Sequence, residues 1–270
     1  MKVVLIGSGN VATVLARLCQ KNNHQVKQVM SRHTENARIL ADELGCSYTN
    51  YDGLTDMTAD IYIVAISDGV LFDLNKSFSL GNKLIVHTAG SVTMDVLKDI
   101  STNYGILYPL QSLRKEMQSI PEIPFLIDGN TNDAVTIIGD FAKTISPLVE
   151  KVAEAERFKL HVAGVFVNNF TNHLYAVAED FCSKDNLDFK LLFPLIQSTA
   201  ERIKEISPKN IQTGPAYRND VFTLDKHLRI LNAHPKLKYL YLKLTDSIMN
   251  PKWQRTIVNS KMGYELFLLF

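Results

Sequence analysis

The chain has 270 residues, 46% of them hydrophobic, and its 29 basic and 28 acidic residues leave a formal net charge of +1. This length and composition supply an ordinary globular core in one or two domains and exclude a disordered protein. Because the charge is near zero, we expect a small-molecule substrate as partner, with no nucleic acid and no membrane.

The cysteines and the N-terminus indicate the compartment. Cys19, Cys46 and Cys182 lie far apart and form no C-x-x-C pair, which is typical of a reducing cytoplasm. The first apolar run ends at a glycine turn, so it lacks the apolar stretch of a signal peptide. No segment approaches the roughly 20 apolar residues of a spanning helix. We therefore expect a cytoplasmic protein.

The first predicted strand, Val3–Ile6, leads directly into a glycine-rich turn with the spacing G-x-G-x-x-A and then an amphipathic helix near 10–21. Gly7 permits the tight turn, Gly9 lets the backbone approach a pyrophosphate, and Ala12 lets the helix pack close to the sheet. The N–H groups at the start of the helix face the phosphates. The pattern predicts a dinucleotide site at Gly7, Ser8, Gly9, Asn10, Val11 and Ala12.

The end of the second predicted strand, Val26–Met30, indicates which dinucleotide binds. An acidic residue there would bond the ribose 2′-hydroxyl of NAD, but this chain has Ser31, Arg32 and His33. Arg32 can make charge-assisted hydrogen bonds to a 2′-phosphate, and Ser31 can add a neutral one. We therefore predict NADP as the cofactor. The alternatives are a solvated Arg32 and a His33 that belongs to the cap of the next helix.

Short apolar runs alternate with helices up to about residue 150, a pattern typical of a mainly parallel sheet. The further predicted strands are Ile61–Ile66, Leu84–His87, Gly105–Tyr108 and Phe125–Ile127, and the further predicted helices are 34–44, 70–78, 92–99 and 132–145. Thr34 is expected to cap its helix and Gly45 to end it. The predicted fold class is α/β, with an N-terminal Rossmann, doubly wound domain over 1–153.

Helical patterns dominate after about Arg157, and an all-helical domain is predicted over 154–270. Its predicted helices are 157–182, 188–206, 220–232 and 236–249. An irregular connection, Ser207–Tyr217, contains Pro208, Gly214 and Pro215, which discourage helix. The apolar stretch Leu266–Phe270 is expected to pack on the fold or on a partner subunit.

Ligands of open α/β sheets bind at the carboxyl ends of the strands. Ile66 and Ser67 lie at one such end, where we expect them to contact the cofactor, and His87 and Thr88 lie at the next, near the nicotinamide half. Asp68 precedes Gly69 and is at least as consistent with a turn cap.

Polar residues on an apolar helix supply further candidates. Asn169, Asn172 and His173 have the spacing i, i+3, i+4 and so share one face of an α-helix. Because buried amides cost free energy unless they are bonded, this face lines a cofactor cleft, forms an interhelical network or is exposed. Histidine titrates near neutrality, so His87 and His173 are the candidate proton donors, with a structural role as the alternative for each. Asn169 is the third catalytic candidate.

Two loops supply the predicted substrate contacts, Gln111 and Arg218. Arg218 can hold a carboxylate or phosphate, and a solvated loop arginine is the alternative. Asp220 is expected to cap the next helix or to pair with Arg218. The sequence has no metal-ligand spacing, serine-nucleophile elbow or P-loop. We therefore predict no metal site.

Several stretches resemble known proteins: LIGSGNVA at 5–12, HTAGS at 87–91, YPLQSL at 108–113, HVAGVFVNNFTNHL at 161–174 and QTGPAYRND at 212–220. The N-terminal half resembles the Rossmann domain of NADP oxidoreductases related to pyrroline-5-carboxylate reductase and to deazaflavin-dependent enzymes. The whole chain is similar to a bacterial family in which such a domain precedes a helical domain of unknown function. The resemblance implies NADP(H) in the N-terminal domain, substrate in an interdomain cleft and a homodimer formed through the helical domain.

Two departures from these relatives leave the reaction open. Related β-hydroxyacid dehydrogenases have a catalytic lysine one turn before an asparagine, where this chain has Gly164 or Val165. The resembling family also tends to have histidine where this chain has Tyr108. We expect an NADP-dependent oxidoreductase that transfers a hydride to or from a small imine, carbonyl or hydroxy-acid substrate. The alternative is a non-catalytic NADP(H)-binding sensor or regulatory protein.

Overall fold

The computed structural model describes residues 1–74 and 79–250 and divides into two compact units, Met1–Thr171 and Asn172–Phe270. The last part of the predicted helix 70–78 and the stretch Leu266–Phe270 lie outside the described residues. The helix Glu154–Gly164 lies in the first unit, where Arg157 donates to backbone carbonyls of Gly90 and Val92. A compact unit need not coincide with a separately folding domain, so the boundary after residue 153 stays a prediction.

The first unit is built on an eight-stranded sheet of order β3-β2-β1-β4-β5-β6-β7-β8. Strand β7 runs antiparallel to β6, and the other neighbouring strands run parallel. This order is that of a doubly wound Rossmann sheet, as predicted. The strands are β1 (Lys2–Ile6), β2 (Gln25–Met30), β3 (Ser47–Thr49), β4 (Ile61–Val64), β5 (Leu84–His87), β6 (Tyr104–Pro109), β7 (Phe125–Gly129) and β8 (Val149–Lys151).

The helices of this unit are α1 (Asn10–Lys21), α2 (Thr34–Leu44), α3 (Asp68–Leu71), α4 (Asn132–Ile145) and α5 (Glu154–Gly164). Alternate residues of β1 enter two separate cores, because successive strand side chains point to opposite faces. Leu5 packs in a cluster with Leu15 and Phe141, whereas Ile6 packs in a cluster with Leu71. Both faces of the sheet are therefore covered, which explains why its central strands are apolar throughout.

Two local predictions change, and one is confirmed. The helix expected at 92–99 is a single 3₁₀ turn, Met94–Leu97, in which the Thr93 hydroxyl accepts the N–H of Asp95. The residue before α2 is His33, whose backbone is extended, so Thr34 is the first helical residue and not the cap. Gly45 does end α2 in the left-handed conformation, with φ of 66°.

Helices are the regular secondary structure of the second unit over its described residues, 172–250, as predicted. Its helices are α6 (Thr171–Lys184), α7 (Phe193–Arg202), α8 (Val221–Ile230) and α9 (Pro235–Met249). Asp220 caps α8, because its carboxylate accepts the N–H of Thr223 at 3.0 Å. The predicted helix 188–206 is shorter, since its first turn, Phe189–Leu192, is 3₁₀. Across 1–74 and 79–250, every helix is too short or too polar to cross a membrane.

Candidate functional site

The glycine turn after β1 has the geometry that its sequence predicts. Gly7 has φ of 124°, and a Cβ atom there would lie 2.1 Å from the Ala65 carbonyl oxygen, so only glycine fits. A Cβ at Gly9 would meet no atom within 4 Å. The backbone at Gly9 is thus open to an approaching pyrophosphate.

The N-terminus of α1 is suited to an anion. The Thr13 N–H bonds back to the Gly9 carbonyl at 2.9 Å, so the N–H groups of Asn10, Val11 and Ala12 precede the first intrahelical bond. Gly9 contributes no side-chain cap, and the first turn of α1 contains no acidic residue. Free N–H groups and the helix dipole together favour a phosphate here. The turn therefore fits a dinucleotide pyrophosphate.

The end of β2 fits the extra phosphate of NADP. The Ser31 side chain is buried and accepts a hydrogen bond from the Ser8 hydroxyl at 3.0 Å, whereas Arg32 and His33 are exposed. Burial raises the pKa of Tyr51, and the positive charge of Arg32 lowers it. The nearby Glu35 carboxylate is held by Arg38 at 2.7 Å. Arg32 is thus exposed after β2, and its contact with a 2′-phosphate stays a prediction.

We predict that Arg32→Glu weakens NADPH binding about 10- to 100-fold more than NADH binding, because it removes a charge-assisted hydrogen bond and adds repulsion. Calorimetric titration of both coenzymes measures this difference. Lys98→Glu, at an exposed residue after the 3₁₀ turn, changes the net charge equally and should leave both affinities as they are. Equal losses for NADPH and NADH in Arg32→Glu would contradict a phosphate contact.

The carboxyl end of β4 lies next to the glycine turn. The Ile66 side chain is half-buried and lies 3.2 Å from the Cβ position of Gly7, and Ser67 is exposed immediately before α3. The structure therefore brings Ile66 to the predicted dinucleotide site.

A cavity of about 580 Å³ lies within the first unit. It borders α1 at Val11, the loop after β5 at Thr88, and the loop after β6. The cavity has no charged side chain in its lining, which consists of Val11, Thr88, Tyr108, Pro109, Leu110, Gln111, Ser112, Leu160, His161, Ala163, Gly164, Val165, Val167, Asn168 and Asn169. A mainly apolar space with a few uncharged polar groups thus adjoins the helix predicted to bind the dinucleotide.

A tyrosine–histidine pair lines this cavity. The Tyr108 hydroxyl and the His161 Nδ1 atom are 3.0 Å apart, and the rings meet edge to face. Burial and the negative charge of Asp68 raise the pKa of Tyr108, and the charge of Arg157 lowers it. A Cβ at Gly90 would lie 2.7 Å from both Tyr108 Cζ and His161 Nδ1. The absence of a side chain at Gly90 therefore makes room for the pair.

Tyr108 and His161 are not among the site residues that the sequence predicts. Tyr108 lies near the carboxyl end of β6, so the rule that selected Ser67 and His87 could have selected it as well. His161 precedes the asparagines of a resembling stretch, but nothing in its own spacing pairs it with a residue 53 positions earlier.

The residues between α5 and α6 form a π-helical turn, Val165–Phe170, at which the predicted continuous helix 157–182 is interrupted. In an α-helix, adjacent side chains diverge by 100° and so point in different directions. A π turn is wider than an α-helical turn and often occurs at functional sites. Here Asn168 and Asn169 both line the cavity, and the Asn168 side-chain oxygen accepts from the Ser112 hydroxyl at 2.9 Å. The structure thus brings a predicted substrate contact, Gln111, and a predicted catalytic residue, Asn169, to one space that also borders Val11.

His87 is fully buried, and both of its ring nitrogens are bonded. Nε2 donates to the Thr93 carbonyl at 3.1 Å, and Nδ1 accepts the Ala89 N–H at 3.2 Å. Burial lowers the pKa of His87 to about 4, so the ring is neutral near pH 7. His87 joins two parts of the loop after β5 and does not line the cavity. Its catalytic role stays a prediction.

Acid should destabilise the protein through His87. The pKa falls from an ordinary 6.5 to about 4 on folding, so the unfolded chain binds the proton more readily. The contribution of the neutral His87 ring to the free energy of unfolding is fully present above pH 6.5. It is lost as the pH falls toward 4, by about 3 kcal/mol. Urea unfolding between pH 7.5 and 4 measures the fall in the free energy of unfolding, which should be smaller in His87→Gln by about that amount. Parallel slopes for the two proteins would contradict this role.

The other predicted residues belong to the second unit. His173 lines a cavity of about 750 Å³ within that unit, together with Asp180, Lys184 and His234. Arg218 is exposed, and its N–H bonds to the Gly214 carbonyl at 3.2 Å. The roles of His173 and Arg218 stay predictions.

Two family models match the chain. Residues 2–90 match the NADP oxidoreductase, coenzyme F420-dependent family, and residues 123–248 match DUF2520, a domain of unknown function. A solved Bacteroides fragilis protein, titled a candidate NADP oxidoreductase, is 37% identical with a TM-score of 0.85, and the match covers 92% of this chain and 98% of that one. None of the curated proteins matches significantly.

More distant structures share the fold. A Thermotoga maritima protein has 19% identity and a TM-score of 0.67, and the match covers 93% of this chain and 99% of that one. A 1-pyrroline-5-carboxylate reductase from Streptococcus pyogenes has 13% identity and a TM-score of 0.62, with 93% and 98% covered. The family indicates NADP as the nucleotide cofactor, as predicted, and the glycine turn fits its pyrophosphate. The chain belongs to the family in which an NADP oxidoreductase domain precedes a DUF2520 domain.

Proposed function

We propose that the protein uses NADPH to reduce the C=N or C=O bond of a small molecule held in the first-unit cavity; the reverse reaction would oxidise a hydroxy acid or an amine. One observation carries the proposal. The same cavity borders Val11 of the helix predicted to bind the dinucleotide and the Tyr108–His161 pair, so the expected cofactor site and a phenol hydroxyl share one space.

Bound NADPH would supply the hydride, that is, one hydrogen with its electron pair, to the substrate carbon. Tyr108 supplies the proton: its O–H bond breaks as the substrate oxygen or nitrogen takes the hydrogen and the electron pair stays on the phenol oxygen. When His161 Nδ1 carries a proton, it donates to the Tyr108 oxygen and leaves the phenol hydrogen free for the substrate. Transfer of that proton from His161 then restores the phenol.

The loop after β6 contacts α1 and also lines the cavity proposed to hold the substrate. The N–H of Lys115 donates to the Asn10 side-chain oxygen at 3.2 Å, and the Arg17 guanidinium donates to the Lys115 carbonyl at 2.6 Å. This loop carries Gln111 and Ser112 into the cavity. Amide and hydroxyl groups held in this way can orient polar atoms of a substrate.

The proposed protein is a homodimer formed through the helical unit. Its proposed location is the cytoplasm. Large apolar side chains of this unit are exposed, among them Leu191 at 78%, Phe222 at 71% and Val221 at 65%. Exposed apolar side chains in this number are typical of an interface. Analytical ultracentrifugation tests this assembly: sedimentation as a dimer supports it, and a monomer at micromolar concentration contradicts it.

Tyr108→Phe tests the proposed reaction. With a substrate found by screening NADPH oxidation against imines, keto acids and aldehydes, the variant should lose about 100- to 10,000-fold in kcat. Its affinity for NADPH should not change. Tyr48→Phe removes an exposed hydroxyl from β3 and serves as the matched control. Full activity of Tyr108→Phe would contradict the proton-donor role, and NADPH binding without any turnover would favour a sensor protein.

A further inference from the structure

Arg157 is a buried cation within the first unit. Its side chain is only 1% exposed, although it lies on α5. Its Nε donates to the Gly90 carbonyl at 3.3 Å and its Nη2 to the Val92 carbonyl at 2.6 Å. The Glu154 carboxylate is 3.9 Å away and 41% exposed, and the negative charge of Asp128 on β7 also raises the pKa of the guanidinium. Burying a guanidinium is costly when no carboxylate pairs with it closely, so carbonyl bonding alone does not explain a charged residue here.

The loop that Arg157 bonds is the loop that supports the Tyr108–His161 pair. Gly90 lies against both rings, since a Cβ there would be 2.7 Å from an atom of each. Arg157 and His161 are four residues apart on α5 and therefore lie on one face of that helix. The guanidinium thus fixes the backbone on which the pair rests, and its own helix carries one member of the pair.

The charges that act on Tyr108 have opposite signs. Burial and Asp68, at the start of α3, raise the pKa of the phenol, and Arg157 on α5 lowers it. His161 is the titratable group in direct contact with the hydroxyl. The lining of the cavity itself supplies no further charge. Arg157 is therefore the positive charge of α5 that favours a phenolate at this position.

We propose that Arg157 is a positioning residue that holds the Gly90 loop against Tyr108 and His161 and stabilises the negative charge left on the Tyr108 oxygen when the proton departs. The inference rests on the proposed function, because it concerns the same proton transfer. A neutral side chain with a hydrogen-bond donor could hold the loop carbonyls. Only a cation both holds these carbonyls and stabilises negative charge on the Tyr108 oxygen.

The test follows ionisation of Tyr108 without any substrate. The full-length protein is labelled with 3-fluorotyrosine, which ionises at a lower pH than tyrosine, and the Tyr108 ¹⁹F resonance is assigned with Tyr108→Phe. Arg157→Gln should raise the titration midpoint of Tyr108 by about one pH unit. Arg157→Lys keeps the charge and should leave the midpoint within about half a unit of wild type. Arg38→Gln removes an exposed arginine from α2 and should not shift it.

A folded Arg157→Gln protein with the wild-type midpoint would overturn the inference, because the loop would then be held without an electrostatic effect. If Arg157→Gln does not fold, Arg157→Met, which keeps an apolar stem of similar length without the charge, takes its place: a midpoint raised by about one pH unit supports the inference, and a wild-type midpoint overturns it. Failure of the proposed function appears separately, as an absence of turnover in wild-type protein whose Tyr108 midpoint still responds to Arg157.

Discussion

Gly9→Ala is expected to weaken NADPH binding about 100-fold while leaving the thermal unfolding temperature unchanged. A methyl group at Gly9 meets no protein atom within 4 Å, so it enters the space through which a pyrophosphate approaches the backbone. Loss of one or two charge-assisted hydrogen bonds to phosphate costs about 3 kcal/mol. Calorimetric titration with NADPH and differential scanning calorimetry measure the two effects.

Gly7→Ala provides the contrast. Its methyl group would lie 2.1 Å from the Ala65 carbonyl oxygen, and its φ of 124° disfavours any L side chain. This variant should lose stability as well as NADPH affinity. Wild-type NADPH affinity in Gly9→Ala would show that the turn does not hold the pyrophosphate.

Gly90→Ala is expected to lower kcat about 100-fold with little change in NADPH affinity. The new methyl group would lie 2.7 Å from Tyr108 Cζ and from His161 Nδ1, so the pair must separate. A displacement of about 1 Å in a reacting group costs about 100-fold in rate. Steady-state kinetics at saturating NADPH, with a substrate that the wild-type protein reduces, measure the loss.

Gly69→Ala is the matched control for Gly90→Ala. A Cβ at Gly69 meets no atom within 4 Å, and the residue lies on the short helix α3. This variant should keep wild-type stability and turnover. Wild-type kcat in Gly90→Ala, with the protein folded, would contradict a role for the Tyr108–His161 geometry.

Much of the fold follows from local patterns. The turn at Gly7 and Gly9 and the alternation of apolar strands with helices predict the central strands and the Rossmann class, because each pattern spans only a few neighbouring residues. The sequence does not predict strands β3 and β8, because a local pattern needs an apolar run. Each has three residues, most of them exposed, so neither has an apolar run to indicate it.

The candidate site was only partly predictable. Asn169 and Gln111 were selected by residue type, and both line the cavity. The partnership of Tyr108 with His161 depends on a contact between β6 and α5, which no local pattern encodes. The π-helical turn also replaces the α-helical period on which the grouping of Asn169 with His173 was based.

A crystal structure of the protein with bound NADP⁺ tests the central claim most directly. We expect the pyrophosphate at the N–H groups that begin α1, the 2′-phosphate at Arg32, and the nicotinamide in the first-unit cavity. The Tyr108 hydroxyl should then lie across one substrate-sized gap from the nicotinamide ring. A nicotinamide outside this cavity, or a pyrophosphate that does not contact the turn at Gly9, would contradict the account.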